Sequence, residues 1–110
     1  AEGFAGGDLK HGPIALIEKD VPVLVFASDD ESEAEIVSNA MEVKARGAEV
    51  IGINYRNNQV FEQYLPVAKN GFYTPIASIV YPQLMAYYIA LEKKLDPDKP
   101  RNLAKSVTVK

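Results

Sequence analysis

Residues 23–54 read VLVFASDDESEAEIVSNAMEVKARGAEVIGIN, and this stretch decides the fold. Residues 23–27 form an unbroken run of β-formers without alternation, the pattern of a strand covered on both faces. Residues 49–54, EVIGIN, make a second such run. Between them, Ser28, Asp29 and Asp30 offer helix N-caps, and Glu31, Glu33 and Glu35 load the first turns with negative charge. Lys44 and Arg46 sit at the far end, and Gly47 is placed to stop the helix. That is the charge order a helix dipole favours. Ile36, Ala40 and Val43 recur at i, i+4 and i+7 with Val37 and Met41 beside them, one apolar face of an amphipathic helix. Strand, helix and strand at this spacing predict a βαβ unit, with parallel strands and a right-handed crossover.

Outward from this core, residues 1–8 are small and Gly-rich and read as the ragged end of a helix or a loop. Gly12-Pro13 is a turn, and Pro13 opens a short helix through Ile17. On the other side, residues 55–58 are a turn, and a third short strand is predicted over residues 64–67. Asn70-Gly71 marks a loop. Thr74-Pro75 then opens a helix running to about Lys94. This helix is apolar nearly all round, which predicts burial, and Pro82 predicts a kink. The class is α/β with a parallel sheet.

Composition narrows the function. At 110 residues the chain is near the commonest domain size, and a 47% apolar content supplies a core. A net charge of −3, with no basic run longer than Lys93-Lys94, argues against nucleic acid and against a polybasic membrane contact. The most apolar stretch, residues 76–91, contains Ser78, Pro82 and Gln83 and is too interrupted to span a bilayer. The absence of cysteine excludes disulfides and thiolate chemistry and fits an intracellular setting. One histidine, His11, cannot build a His-rich metal site. The chain starts at Ala1 with no signal-peptide pattern, and a piece cut from something longer is expected.

Few residues carry candidate chemistry. His11, on the Gly12-Pro13 turn, is either a surface residue or a proton donor and acceptor held on a tight loop. Asp29-Asp30 resemble the acidic pair of phosphoacceptor domains, with Lys99-Pro100 as companion, but their positions are wrong for that site. Helix capping accounts for them. The glycines form neither G-x-G-x-x-G nor a P-loop. Tyr87 and Tyr88 read as core or interface packing. Lys105 stands between Ala104 and Ser106, with Val107 and Val109 following. It is either a solvated lysine or an amine docked in a partly apolar site, where a lowered pKa frees the neutral nucleophile.

Two strings carry a resemblance: AEGFAGGDLKHGPIALIEKDVPV at residues 1–23 and PRNLAKSVTV at residues 100–109. Both resemble the isomerase half of the glutamine–fructose-6-phosphate amidotransferase family, also called glucosamine-6-phosphate synthases, which is built on sugar isomerase (SIS) domains. The resemblance implies a three-layer parallel-sheet α/β fold of SIS type, present here as its C-terminal part. Residues 1–99 would be that portion of the domain, and residues 100–110 a catalytic tail. It implies that Lys105 forms a Schiff base with the sugar carbonyl. It also implies that His11 assists ring opening in the active site of a neighbouring subunit, and that the backbone at Ala104 lies against the sugar. The implied partners are fructose 6-phosphate and glucosamine 6-phosphate, a second subunit in a homodimer, and the parent's N-terminal SIS and glutaminase domains. A cytoplasmic setting is implied, with no metal or organic cofactor for the sugar chemistry.

The family's isomerisation base is a glutamate shortly before the residue matching Ala1, and Glu2 matches a different glutamate. The family's phosphate-cradling Ser/Thr loops have no counterpart in these residues, so the chain alone is expected to be inactive. Two rivals share the fold: a non-catalytic SIS-type module that binds sugar phosphates, and an aminosugar-phosphate deaminase. The tail lysine speaks against both.

Overall fold

The computed structural model describes residues 1–99. Ala104 and Lys105, with the rest of the expected tail, lie outside the described residues. Three strands, β1 (Pro22–Phe26), β2 (Glu49–Asn54) and β3 (Gln63–Pro66), form a sheet in the order β1-β2-β3, parallel throughout. The α/β parallel-sheet expectation therefore holds, and each strand falls within a residue of its predicted place. The register sets Val23 opposite Val50, Val25 opposite Gly52 and Phe26 opposite Ile53. On the other side Gly52 faces Tyr64 and Ile53 faces Leu65.

The side chains of Val23, Val25, Val50 and Tyr64 share one face by strand alternation. Helix α1 (Glu33–Lys44) covers that face through Ala40 and Val43, which join Val50, Val60 and Phe61 in the core. The eight residues from Tyr55 to Glu62 carry the chain from β2 to β3 without a helix. Phe61 replaces one as cover. Its ring lies so close over Gly52 that a Cβ there would meet it at 2.3 Å, so only glycine admits the aromatic. Around the loop, Lys44 Nζ donates to the Val60 carbonyl at 2.8 Å and pairs with Glu62 at 2.9 Å. The second Glu62 oxygen accepts from the Val50 N–H at 2.8 Å, and the Glu62 N–H donates to the Val50 carbonyl at 2.9 Å, just ahead of the β2–β3 ladder.

The expectation of two strands covered on both faces holds for β2 and fails for β1. Five of the six β2 residues are buried, whereas β1 is half-buried at its centre and Phe26 is 42% exposed. An edge strand has a neighbour on one side only, whatever its composition.

The helix caps also differ. Helix α1 starts at Glu33, and its N-cap Ser32 makes no side-chain cap bond. The Asp30 carboxylate instead accepts from the Ser32 N–H, capping the turn that leads into the helix. Asp29 is drawn away to Lys69 at 3.5 Å. Met41, expected beside the apolar stripe, faces outward at 47% exposure.

The segment before β1 is two short 3-10 helices, Gly6–His11 and Pro13–Leu16, the second opened by Pro13. After β3 a 3-10 turn, Gly71–Tyr73, leads into helix α2 (Thr74–Ser78) and helix α3 (Val80–Glu92). The single long helix expected here is thus broken at Ile79. Pro82 lies three residues later; its ring opposes the carbonyl four residues back, Ser78, where α2 ends. The predicted burial of this helix is not found. No residue of α3 is buried, and Leu84, Tyr87, Tyr88, Ile89 and Leu91 are all exposed. Within residues 1–99 α3 packs chiefly on α2, and the Tyr81 hydroxyl ties its start to the Pro66 carbonyl.

Candidate functional site at the carboxyl ends of the strands

In open parallel α/β sheets, ligand sites form beyond the carboxyl ends of the strands. Here Asp29 follows β1, Tyr55 and Arg56 follow β2, and Lys69 follows β3. Glu33, in the first turn of α1, lies at the centre and is 8% exposed. Its carboxylate accepts from Asn54 Nδ2 at 3.1 Å, from the Tyr55 hydroxyl at 3.0 Å and from Arg56 Nε at 2.8 Å, and Arg56 Nη2 closes a two-pronged pair. Asn54 is fully buried and its Oδ1 accepts from the Tyr55 N–H at 2.8 Å. The Arg56 hydrogen bonds hold the Glu33 carboxyl below the ordinary glutamate range; burial works against this, and Asn54 and Tyr55 add to it. Burial pushes the Tyr55 phenol up, helped by its bond to Glu33. The Arg56 guanidinium lies 5.3 Å and Lys69 Nζ 5.0 Å from the centre of the Tyr55 ring.

Every prong of this cluster has a partner, so it acts as a clamp. It ties the start of α1 to the end of β2 and sets the shape of the carboxyl-end rim. Sequence reasoning took Glu33 only as one of three negative charges in the first turns of the helix. The signal was the Asn-Tyr-Arg run that ends β2 and follows it, facing the first turn of the preceding helix.

His11 ends the first 3-10 helix, is exposed, and precedes the Gly12 turn. That helix packs on α1. The other two sequence-predicted site residues, Ala104 and Lys105, lie outside the described residues. Among the described residues there is no group of three or more His, Cys, Asp or Glu side chains that could hold a metal, and no helix is long and apolar enough to cross a membrane.

Three comparisons bear on this arrangement. The glutamine–fructose-6-phosphate aminotransferase (isomerizing) of Clostridium perfringens is 45% identical over 99% of this chain, which spans 19% of that relative. The enzyme of the same name from Staphylococcus epidermidis is 49% identical over 99% of this chain, which spans 18% of it. Among solved structures, the C-terminal domain of glucosamine-fructose-6-phosphate aminotransferase from Francisella tularensis superposes with a TM-score of 0.77 at 31% identity, over 91% of this chain and 30% of that one. The chain thus spans about a fifth of the length of the curated relatives it matches. The SIS domain family matches residues 1–93, and with these relatives and the parallel sheet described above, the chain belongs to the SIS domain family.

Proposed function

We propose that this chain is part of the isomerase domain of a longer enzyme, one that combines fructose 6-phosphate with ammonia from glutamine and isomerises the product to glucosamine 6-phosphate. The observation that carries this reading is identity of 45–49% across 99% of the chain with enzymes of that name. Residues 1–99 supply the C-terminal portion of the SIS domain, and residues 100–110 supply a catalytic tail. In the tail, the Lys105 amine condenses with the open-chain sugar carbonyl and releases water, forming a Schiff base. The Ala104 backbone lies against the sugar. His11, exposed at a turn, serves ring opening in the site of a second subunit of a homodimer, which its exposure permits. The sugar chemistry uses neither metal nor organic cofactor, and the enzyme works in the cytoplasm. The 110-residue chain alone is inactive, because the isomerisation base and the phosphate loops come from other parts of the longer protein.

The test is Lys105→Arg in the longer protein. Arginine keeps the charge but forms no imine. Borohydride trapping of a sugar–enzyme adduct and nearly all synthase turnover are expected to vanish, while glutamine hydrolysis without sugar survives. Normal trapping of labelled sugar by this variant would overturn the assignment of Lys105 and favour a non-catalytic sugar-phosphate module.

A further inference from the structure

His11 closes the 3-10 helix Gly6–His11, which has no buried residue of its own. A helix so lightly held takes its place from what it rests on, and it packs on α1. Leu9 gives the apolar part of that contact, against the core cluster that holds Ala40 and Val43. The polar part sets two consecutive glycines over two side chains of α1 that stand one turn apart. A Cβ at Gly7 would lie 3.5 Å from Glu35 Oε1, and a Cβ at Gly6 would lie 2.8 Å from Asn39 Nδ2. Asn39 precedes Ala40 on the buried side of α1 and is 7% exposed. Its Nδ2 is buried and has no hydrogen-bond partner among the described residues. A buried amide donor without an acceptor costs free energy that an apolar side chain of the same shape would avoid. Acceptors are close by. Residues 1–6 and Asn39 line one groove of about 640 Å³, and residues 1–4 belong to no helix or strand that would occupy their carbonyls.

We propose that Asn39 is a positioning residue for His11: it donates an Nδ2 hydrogen to a main-chain carbonyl of residues 1–4 and so fixes the entry to the Gly6–His11 helix on α1. At the far end of the same helix, this sets where the imidazole stands in the neighbouring subunit's site. A misplacement of about 1 Å at a reacting centre costs about a hundred-fold in rate, so one hydrogen bond at the seat of the helix is enough to matter. This rests on the reading that the chain is part of the synthase and that His11 serves ring opening across subunits.

The test uses the longer protein, with two sugars and with mixed dimers. Fructose 6-phosphate has to be opened before it reacts, whereas 5-deoxyfructose 6-phosphate lacks the hydroxyl that closes the ring. Asn39→Leu is expected to lower kcat/KM for fructose 6-phosphate at least about ten-fold, and for the deoxy sugar by less than about two-fold. Asn39→Asp keeps the shape without the donor and is expected to do the same; unimpaired use of fructose 6-phosphate by this variant overturns the hydrogen bond. Equal losses with both sugars overturn the positioning role, because general damage to the fold does not tell the sugars apart. On the reading above, His11 serves the partner's site and Lys105 its own. A dimer of one Asn39→Leu and one Lys105→Arg subunit therefore holds one site with both groups intact, and it is expected to regain turnover of fructose 6-phosphate, as a dimer of His11→Ala and Lys105→Arg subunits does. Recovery with His11→Ala but none with Asn39→Leu sinks the inference alone. If His11→Ala itself loses both sugars equally, ring opening by His11 falls, and the positioning role of Asn39 falls with it.

Discussion

Strand β2 and helix α3 are both apolar along most of their length, and both carry the composition of buried elements, yet their fates differ. Ile53 and Val50 are fully buried, whereas Leu84 and Tyr88 are 49% and 62% exposed. β2 lies between two strands and beneath α1; α3 rests chiefly on α2. An apolar surface measures how much free energy burial would release. It does not supply the surface that does the burying. Among residues 1–99, α3 and the open edge of β1 hold apolar area without a cover.

The sharpest way to break this comparison is to truncate the same amount of side chain in both elements. Ile53→Ala removes a fully buried side chain at the centre of the sheet and is expected to cost the chain about 2–5 kcal/mol in urea denaturation. A loss near zero would mean that β2 is not the core of the isolated fold. An intermediate effect is expected at the clamp. Glu33→Ala leaves the buried Asn54 amide and the Tyr55 hydroxyl without their acceptor and is expected to cost about 1–3 kcal/mol.

Acid reads the same clamp from another side. The carboxyls of Glu33 and Glu62 are both held below the ordinary glutamate range, Glu33 first by Arg56 and Glu62 first by Lys44. Their folded values are depressed, so the stability they supply is complete above the ordinary glutamate range and disappears as pH falls through the lowered values. The urea midpoint should therefore fall on acidification, and Glu33→Gln should flatten that fall. An unchanged acid limb in Glu33→Gln would remove the clamp from the account. The smallest effect belongs to α3: Leu84→Ala is expected to change the stability of the 110-residue chain by no more than about 0.5 kcal/mol. The same substitution in the longer protein tests whether α3 finds its cover there, since a buried leucine would cost several times as much.

Local chemistry was enough to locate the secondary structure. The uninterrupted β-rich runs marked β1 and β2, the acidic-to-basic charge order marked α1, and Pro13 and Pro75 marked helix starts. Each of these signals acts within a turn or two of chain. The K-H-G-P string around His11 and the tail string around Lys105 likewise carried the resemblance to the SIS domain family, whose model matches residues 1–93. The Glu33 clamp was not legible, because its members are separated by more than twenty residues and meet only where β2 ends against the start of α1. The break at Ile79 was misplaced at Pro82 because proline's steric effect falls on the preceding turn.

From sequence alone came the strands, the helix that joins the first two, their parallel pairing and the family. These follow from residue periodicity, propensity and motif, all of which are written into the chain. Only the tertiary structure decided that, among residues 1–99, β1 is an edge, α3 stands uncovered, Phe61 takes the place of a crossover helix, and Asn39 holds a donor with no acceptor. Each of those facts depends on which distant surfaces meet. A residue's own chemistry states what it would gain from a partner, and packing determines whether the partner is there.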